Sequence, residues 1–331
     1  MGVYHLMGLG RSPGAVTGPL SYLAYRYKRW NKEDQCFFAR SGEVAQRQAG
    51  QKVGDVQALV LFTTQEVLTG KEGARGRSFL SNEYIENPLG RVVEGPVQGG
   101  GPMKEVLRGL LRKEWPGISG GRQAGTIFWC EVDRRDIRNI YERIVQVVAA
   151  LSGVGGQGKE MWVNLTGGNN VSNFALELAA TLSGDVARLY YVQAEDPVAE
   201  KCTRFTAEGG YWIELPVMPL ALSRLDRAVL ELLREEGSLG SKDLYGRLLN
   251  HTEFWNLVHG ISYETFKDIS LTPMWKQGLV AEAGFGYVVG PQWELIQPYE
   301  DVLQQARQGR LPLEQLAQRE AWIEQEKLNF N

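Results

Sequence analysis

The stretch VYHLMGLGRSPGAVT, residues 3–17, runs from an apolar segment through a glycine-rich turn toward a helix-forming segment. Residues 3–8 predict a buried strand, and a helix is expected over 18–30, entered through Pro19. When such a turn follows a parallel strand of a doubly wound α/β domain, its glycines let a ligand approach the backbone. The next helix then offers its free N–H groups to an anion. The candidate ligand residues in this turn are Gly8, Gly10, Arg11, Ser12 and Pro13.

A second turn of the same kind, NLTGGNN at residues 164–170, follows the apolar segment 161–163. The polar triplet 63–65 ends another strand, which is predicted over 58–62. Two glycine turns at the carboxyl ends of strands in one domain suggest a ligand that carries phosphate. The candidate ligand residues in these segments are Thr64, Gln65, Asn164, Thr166, Gly167, Gly168, Asn169 and Asn170.

Apolar, strand-like runs alternate with helical segments through about residue 220. This alternation predicts a Rossmann-like α/β domain with a parallel sheet over residues 1–220. Residues 69–102, rich in glycine, proline and charge, interrupt the pattern and are expected to form either a lid or a plain insertion. Strands are predicted over 35–39, 58–62, 125–132, 160–165, 186–193 and 213–217, and helices over 103–114, 134–151 and 171–183.

The character of the sequence changes after Leu222. Helices are predicted over 223–236, then after a cap at Ser241, then over 262–277, and two short apolar segments around a Gly-x-Gly turn follow within 279–289. Three helices followed by a hairpin are the order of a winged helix-turn-helix. With terminal helices at 299–308 and 313–327, we expect a second, smaller domain over 221–331.

Composition argues against several classes of protein. Of 331 residues, 43% are apolar and 23% are charged, and the net charge of −3 gives no overall basic signature of a nucleic-acid binder. Three scattered cysteines without a C-x-x-C pair, and three histidines without clustered acidic partners, argue against a disulfide framework and against a metal site. No leader-like start is visible and no apolar run approaches roughly 18 residues, so a cytoplasmic protein without membrane contact is expected.

The first turn departs from the G-x-G-x-x-G pattern of dinucleotide-binding folds. Pro13 occupies the third glycine position, and no acidic residue ends a clear second strand about 20 residues further on. An enzyme with a nucleotide cofactor therefore stays only an alternative, and no cofactor is expected. Another alternative is that both turns merely close tight corners of the chain.

The two turns together resemble the signatures of the CRISPR-associated Rossmann fold (CARF) family. The segment 8–17, directly after the first strand, is similar to the family's first motif, and 164–168 is similar to its second, Asn-x-Thr-Gly-Gly-Thr-Lys. A winged helix-turn-helix behind the sensor domain is also common in this family. The resemblance implies a type III CRISPR accessory protein of antiviral defence, a homodimer that binds cyclic oligoadenylate across its two-fold axis, with cyclic tetra-adenylate the most expected ligand.

The resemblance also implies ring-nuclease activity, which some family members have. A ribose 2′-hydroxyl attacks the adjacent phosphate without a metal, and Arg11 and Ser12 are the catalytic candidates. Asn170 stands where the family has a lysine, so charge at the phosphate is expected from Arg11 or from cations of the 69–102 segment. A valine at Gly167 is expected to block ligand binding and leave the fold intact. The candidate cations of the 69–102 segment are Lys71, Arg75, Arg77 and Arg91.

A ligand-controlled transcriptional regulator that binds DNA through the winged helix is the main alternative function. Residues 223–331 carry 16 acidic and 11 basic side chains, and the third predicted helix offers only Lys267 and Lys276. DNA binding draws most of its affinity from phosphate neutralisation, so this charge disfavours DNA binding. A dimerisation module is the favoured interpretation of the second domain.

Overall fold

The computed structural model describes residues 2–39, 52–70, 83–86, 97–98, 101–153, 158–193, 201–205, 212–217 and 222–330. The chain forms two compact units. The larger unit is Met1–Pro219 together with Ala306–Asn331, and the smaller unit is Leu220–Gln305. Within the described ranges, no helix combines the length and the apolar character that crossing a bilayer requires.

The elements are numbered in chain order. The strands are β1 Val3–Gly8, β2 Val56–Thr63, β3 Tyr84–Ile85, β4 Val97–Gln98, β5 Ala124–Glu131, β6 Glu160–Asn164, β7 Arg188–Val192, β8 Trp212–Leu215, β9 Val280–Ala283, β10 Gly286–Val289 and β11 Ile323–Asn329. The helices are α1 Gly14–Arg29, α2 Lys32–Ala39, α3 Gln65–Thr69, α4 Met103–Glu114, α5 Ile137–Ser152, α6 Asn170–Ser183, α7 Arg224–Glu236, α8 Ser241–Asn250, α9 Trp255–Val258, α10 Tyr263–Phe266, α11 Thr272–Lys276, α12 Pro291–Gln308 and α13 Leu313–Arg319.

A seven-stranded sheet in the order β11-β5-β2-β1-β6-β7-β8 organises the larger unit. Its five central strands are parallel to their neighbours, and the edge strands β8 and β11 are antiparallel. Leu59, Val60 and Leu61, consecutive residues of β2, are all fully buried, so the sheet is covered on both faces. The expected α/β, Rossmann-like architecture with a mostly parallel sheet is confirmed.

Helix α1 begins at Gly14, four residues before the predicted start, and contains Pro19. A proline within a helix has no N–H for the carbonyl four residues earlier, which here is Ala15. The side chain of Asn164 donates its amide N–H to that carbonyl oxygen at 3.3 Å. The helix therefore passes through Pro19 because the second glycine turn supplies the missing donor.

The strand predicted over 35–39 is wrong, because these residues lie in helix α2. The side chain of Asn31 accepts the Asp34 N–H at 2.9 Å, as in a helix cap, and Glu33 and Asp34 lie in the first turn, where acidic side chains favour a helix. Phe37 and Phe38 still reach the core from this helix. Two adjacent apolar residues were therefore a poor guide to strand structure here.

The helix predicted over 313–327 is also wrong in its second half. Helix α13 ends at Arg319, and β11 pairs antiparallel with β5, bringing Ile323 and Leu328 into the core. The carboxylate of Glu326 accepts bonds from the Arg108 guanidinium at 2.5 and 2.9 Å and from the Trp129 indole at 2.8 Å. Residues 306–331 thus belong with the larger unit, which differs from the expected 221–331 domain.

Helices α7 to α11 and the antiparallel hairpin β9–β10 make up most of the smaller unit, in the helices-then-hairpin order that the sequence predicts. Ser223 and Asp226 form a capping box at the start of α7. Gly240, rather than Ser241, is the N-cap of α8. Without residues 306–331, the unit keeps 12 acidic against 7 basic side chains, so its acidic character does not depend on the boundary.

Candidate functional site

The two glycine turns lie side by side at the carboxyl edge of the sheet. Strands β1 and β6 are parallel neighbours, with Met7 beside Asn164, so both turns leave the sheet at the same level. A Cβ atom built on Gly167 would lie 2.3 Å from the Gly8 carbonyl oxygen, and one on Gly8 would lie 3.0 Å from the Gly168 Cα. The turns therefore pack backbone against backbone, at a separation that only glycine allows.

This contact corrects the expectation for a valine at Gly167. The space beside Gly167 is filled by Gly8 and by the Ala15 Cβ, 3.0 Å away, and Gly167 itself is buried. The glycine with a left-handed backbone is Gly168, with φ +81°, and not Gly167. A side chain at Gly167 would therefore disturb the fold before it met any ligand.

The side chains of Asn164 and Thr166 form hydrogen bonds that hold the second turn in place. Asn164 is fully buried, and besides bonding to Ala15 it accepts the Thr166 N–H at 2.8 Å. The Thr166 hydroxyl accepts the N–H of Val192 in β7 at 2.8 Å. Both side chains thus fix the shape of the second turn and tie it to α1 and to β7.

A cavity of about 140 Å³ opens beside the paired turns. Of the predicted site residues, five line it: Gly10, Arg11, Thr64, Gly168 and Asn169. The structure thus brings together residues from the ends of β1, β2 and β6, as the sequence predicts. A volume this small suits a phosphate-sized group, because pockets for drug-sized ligands occupy roughly 300–1,000 Å³.

Helix α6 begins at the rim of this cavity. The side chain of Asn169 is its N-cap and accepts the N–H of Ser172, another lining residue, at 2.7 Å. The cavity therefore faces the positive end of a 14-residue helix. Asn170 is the first residue of that helix and is exposed, but it does not line the cavity.

Three charged side chains line the cavity, and each lies in a segment that follows a different strand of the sheet. The cations are Arg11 after β1 and Arg134 after β5, both exposed, and the anion is Glu66 in α3. Hydrogen bonds from its own backbone N–H and from the Thr64 hydroxyl lower the pKa of Glu66, and the nearby Arg134 and Arg135 lower it further. The ionised Glu66 carboxylate therefore offsets part of the positive charge that Arg134 and Arg135 would offer to an anionic ligand.

Arg134 and Arg135 are functional candidates that sequence reasoning missed. They lie in the segment Asp133-Arg134-Arg135-Asp136, directly after β5, and β5 lies next to β2 in the sheet. The sequence does contain a signal for them, because the carboxyl end of every parallel strand in this sheet is a candidate position for a ligand-binding residue. It was weak because Asp133 and Asp136 mask the local charge, and because Asp136 is itself the cap of α5.

Other predicted site residues lie near the cavity without lining it. Pro13 is buried and is the N-cap of α1, Ser12 is half-buried, and Gln65 is exposed. The loop cations Lys71, Arg75, Arg77 and Arg91 lie outside the described residues. The described residues contain no group of three or more His, Cys, Asp or Glu side chains placed to hold a metal ion.

Comparisons with known proteins find similar proteins but do not assign the chain to a family. No protein-family model matches the chain. An uncharacterized protein of Archaeoglobus fulgidus is 26% identical over 268 residues, which cover 76% of this chain and 79% of that protein. Among solved structures, Enterococcus italicus Csm6 bound to cyclic hexa-2′-fluoro-hexa-dAMP matches with a TM-score of 0.34 and 12% identity over 92% of this chain. The chain spans 60% of that Csm6 chain, and a TM-score of this size does not establish a shared fold.

Proposed function

We propose that this protein binds a cyclic oligoadenylate, most simply cyclic tetra-adenylate, at the paired glycine turns. The observation that carries the proposal is the cavity beside the turns, which is lined by residues from both CARF-like motifs, by Arg11 and Arg134, and by the first turn of α6. Backbone N–H groups, a helix N-terminus and two guanidinium groups together suit a phosphodiester. This reading makes the protein a type III CRISPR accessory protein.

The small volume of the cavity is the reason to propose a homodimer. About 140 Å³ holds one phosphate group of the ligand and not the ring. A ring of identical nucleotides is symmetric, and two identical edges facing each other across a two-fold axis would offer it matching phosphate sites. Light scattering at micromolar concentration, with and without cyclic tetra-adenylate, should give the mass of two chains.

We further propose that any cleavage of the ring is slow and needs no metal. A ribose 2′-oxygen bonds to the adjacent phosphorus as the 5′-oxygen leaves with a proton, giving a 2′,3′-cyclic phosphate and a 5′-hydroxyl. The protein has only to hold these atoms in line and to stabilise charge on the phosphate oxygens. Arg11, which lines the cavity, is the stabilising candidate, while Ser12 contributes to the shape of the turn.

The binding experiment uses two substitutions that leave the turn contact intact. Gly10→Ala places a methyl group in the cavity, where the nearest atom outside its own neighbours is 3.7 Å away, and Arg11→Ala removes one cation. Each should weaken the binding of cyclic tetra-adenylate at least about tenfold in isothermal titration calorimetry. The matched controls are Gly109→Ala, at a helical glycine with open space around its Cβ position, and Arg112→Ala, at an exposed arginine of the same helix.

The outcomes separate the parts of the proposal. Binding that is unchanged in both Gly10→Ala and Arg11→Ala would place the ligand elsewhere, and no binding by the wild-type protein would end the cyclic oligoadenylate reading. For cleavage, labelled ligand is incubated in excess chelator. Arg11→Ala should be about 100- to 1000-fold slower than wild type. Equal rates would remove Arg11 from the chemistry, and cleavage that stops in chelator would contradict the metal-free mechanism.

A further inference from the structure

A second cavity of the larger unit is lined by none of the residues of the glycine turns. It encloses about 820 Å³ between the C-terminal ends of α1 and α4. Both helices run back from the carboxyl edge of the sheet, so this cavity faces the amino ends of the strands. Its lining shares no residue with the cavity beside the glycine turns.

Five cationic side chains and one carboxylate line this second cavity. Cations are common in the last turn of a helix, where they complement the helix dipole, and this accounts for those of α1 and α4. It does not account for Lys52, which precedes β2, or for Arg204, which lies between β7 and β8. Charge thus converges here from four separate segments of the chain. The charged lining residues are Lys28, Arg29, Lys52, Lys113, Glu114 and Arg204.

Three of these cations are held in place by carboxylates. Arg29 pairs with Asp34 at 2.6 Å, Lys113 with Glu86 at 2.5 Å, and Arg204 with Glu114 at 2.5 Å. Burial raises the pKa of Glu114 above its ordinary value, against the effect of Arg204. These three pairs place cations and carboxylates side by side along the lining of the cavity.

The remaining two cations of the lining are Lys28 and Lys52. Lys52 donates to the Tyr27 carbonyl oxygen at 2.8 Å, and its ammonium lies 4.9 Å from the centre of the Tyr27 ring. Lys28 is exposed, and in the described part of the chain no carboxylate lies within 4.0 Å of it. The Lys28 ammonium can therefore bind an anion without first leaving a carboxylate.

Aromatic side chains stand beside these charges. Tyr25 and Tyr27 both line the cavity, and the Arg29 guanidinium lies 5.5 Å from the centre of the Tyr25 ring. Gly117 and Ala24 also line the cavity, and a Cβ built on Gly117 would lie 3.1 Å from the Ala24 Cβ, so α1 and the turn after α4 are in close contact here. Rings and cations at one wall are the combination that binds a base and its phosphate together.

We propose that this second cavity binds a nucleotide, with its phosphate on Lys28 and its base against Tyr25. The volume lies within the range of roughly 300–1,000 Å³ that small-molecule sites occupy. The site is separate from the one assigned to cyclic oligoadenylate and does not depend on that assignment. It gives the protein a second ligand at the opposite edge of the sheet.

The test uses adenosine 5′-monophosphate as the probe in isothermal titration calorimetry with the full chain. Lys28→Ala should raise the dissociation constant about tenfold, and Lys28→Arg should restore most of the affinity. Lys32→Ala removes an exposed lysine of α2 outside the cavity and should leave binding within about twofold of wild type. Thermal unfolding of each variant, expected to match wild type, confirms that the fold is unchanged.

Three further arms identify what is bound and where. Ribose 5-phosphate should bind more weakly than the nucleotide, and Tyr25→Leu should remove that difference, because the base would lose its ring partner. Gly10→Ala should leave nucleotide binding unchanged. Equal binding of inorganic phosphate and the nucleotide would overturn the nucleotide assignment. Loss of binding in Gly10→Ala but not in Lys28→Ala would place the nucleotide at the glycine turns and overturn the second site.

Discussion

The contact between the two glycine turns predicts opposite effects for two substitutions of the same kind. We expect Gly167→Ala to destabilise the larger unit strongly and Gly10→Ala to leave its stability almost unchanged. A methyl group at Gly167 would lie 2.3 Å from the Gly8 carbonyl oxygen and 3.0 Å from the Ala15 Cβ. A methyl group at Gly10 would have the Gly168 carbonyl oxygen as its nearest atom outside the neighbouring residues. That distance is 3.7 Å, which is ordinary van der Waals contact.

The size of the effect follows from what the new methyl group meets. Overpacking a closed interior costs about 1–3 kcal/mol, and Gly167 belongs at the upper end because a backbone carbonyl cannot rotate aside as a side chain can. For a unit of this size, 1 kcal/mol shifts Tm by roughly 2–4 °C, so Gly167→Ala should lower Tm by roughly 6–12 °C. Gly10→Ala restricts mainly the unfolded chain and should change Tm by no more than about 2 °C.

Differential scanning calorimetry of the wild type and both variants measures this difference directly. Gly109→Ala is the control for adding a methyl group without a new contact, and should be neutral or slightly stabilising because alanine favours a helix. If Gly167→Ala melted within about 2 °C of the wild type, the backbone contact between the turns would be refuted. If Gly10→Ala lost as much stability as Gly167→Ala, the open space beside Gly10 would be refuted.

Three further predictions concern buried charge and the smaller unit. Burial and the nearby Arg188 lower the pKa of His5 from 6.5 to about 3, so the unfolded chain takes up a proton that the folded chain does not. The free energy of unfolding should therefore fall by up to about 1.4 kcal/mol per pH unit below pH 6.5, and denaturant titrations should show a flatter pH dependence for His5→Gln. Burial acts to raise the pKa of Glu326, but hydrogen bonds from Arg108 and Trp129 hold it below its ordinary value. Its stabilisation is present near neutral pH and lost as the pH falls below about 4.3, so Glu326→Gln should reduce the loss of Tm between pH 5 and pH 3. The acidic smaller unit should give no specific duplex binding in fluorescence anisotropy at physiological salt, and a footprint upstream of an operon would contradict this.

The fold could be predicted from the sequence where burial was strong and continuous. Strand β2 and helix α4 are read correctly because one is an uninterrupted apolar run and the other keeps its apolar residues on a single face. Strand β11, IEQEKLN, has a weak alternation of its own, and it is a strand because β5 offers an open edge on which Ile323 and Leu328 become buried. That edge is a property of the folded sheet, and no local pattern in residues 313–327 reports it.

The site could be predicted in its position and only partly in its residues. The motifs locate the carboxyl edge of β1 and β6, because glycines after apolar runs are visible in any sequence. The motifs do not distinguish a glycine that lines a cavity, such as Gly10, from one that packs against another turn, such as Gly167. They also cannot place Arg134 in the cavity, because its approach to Arg11 depends on the order of strands in the sheet.

The dependence of the two motifs on each other changes what a resemblance to them can mean. Helix α1 carries a proline at position 19, and the carbonyl that this proline leaves without a donor is bound by Asn164 of the second turn. Gly8 and Gly167 are glycines for the same reason, since the backbone of the other turn fills the space that a side chain would need at each position. Much of the sequence of the two motifs therefore serves the contact between the turns. Any ligand bound at this edge of the sheet would require that contact, whatever its chemistry. The identity of the ligand has to be carried by the residues that the contact leaves open to the cavity, and of these Arg11 and Arg134 bring the charge that a phosphodiester needs.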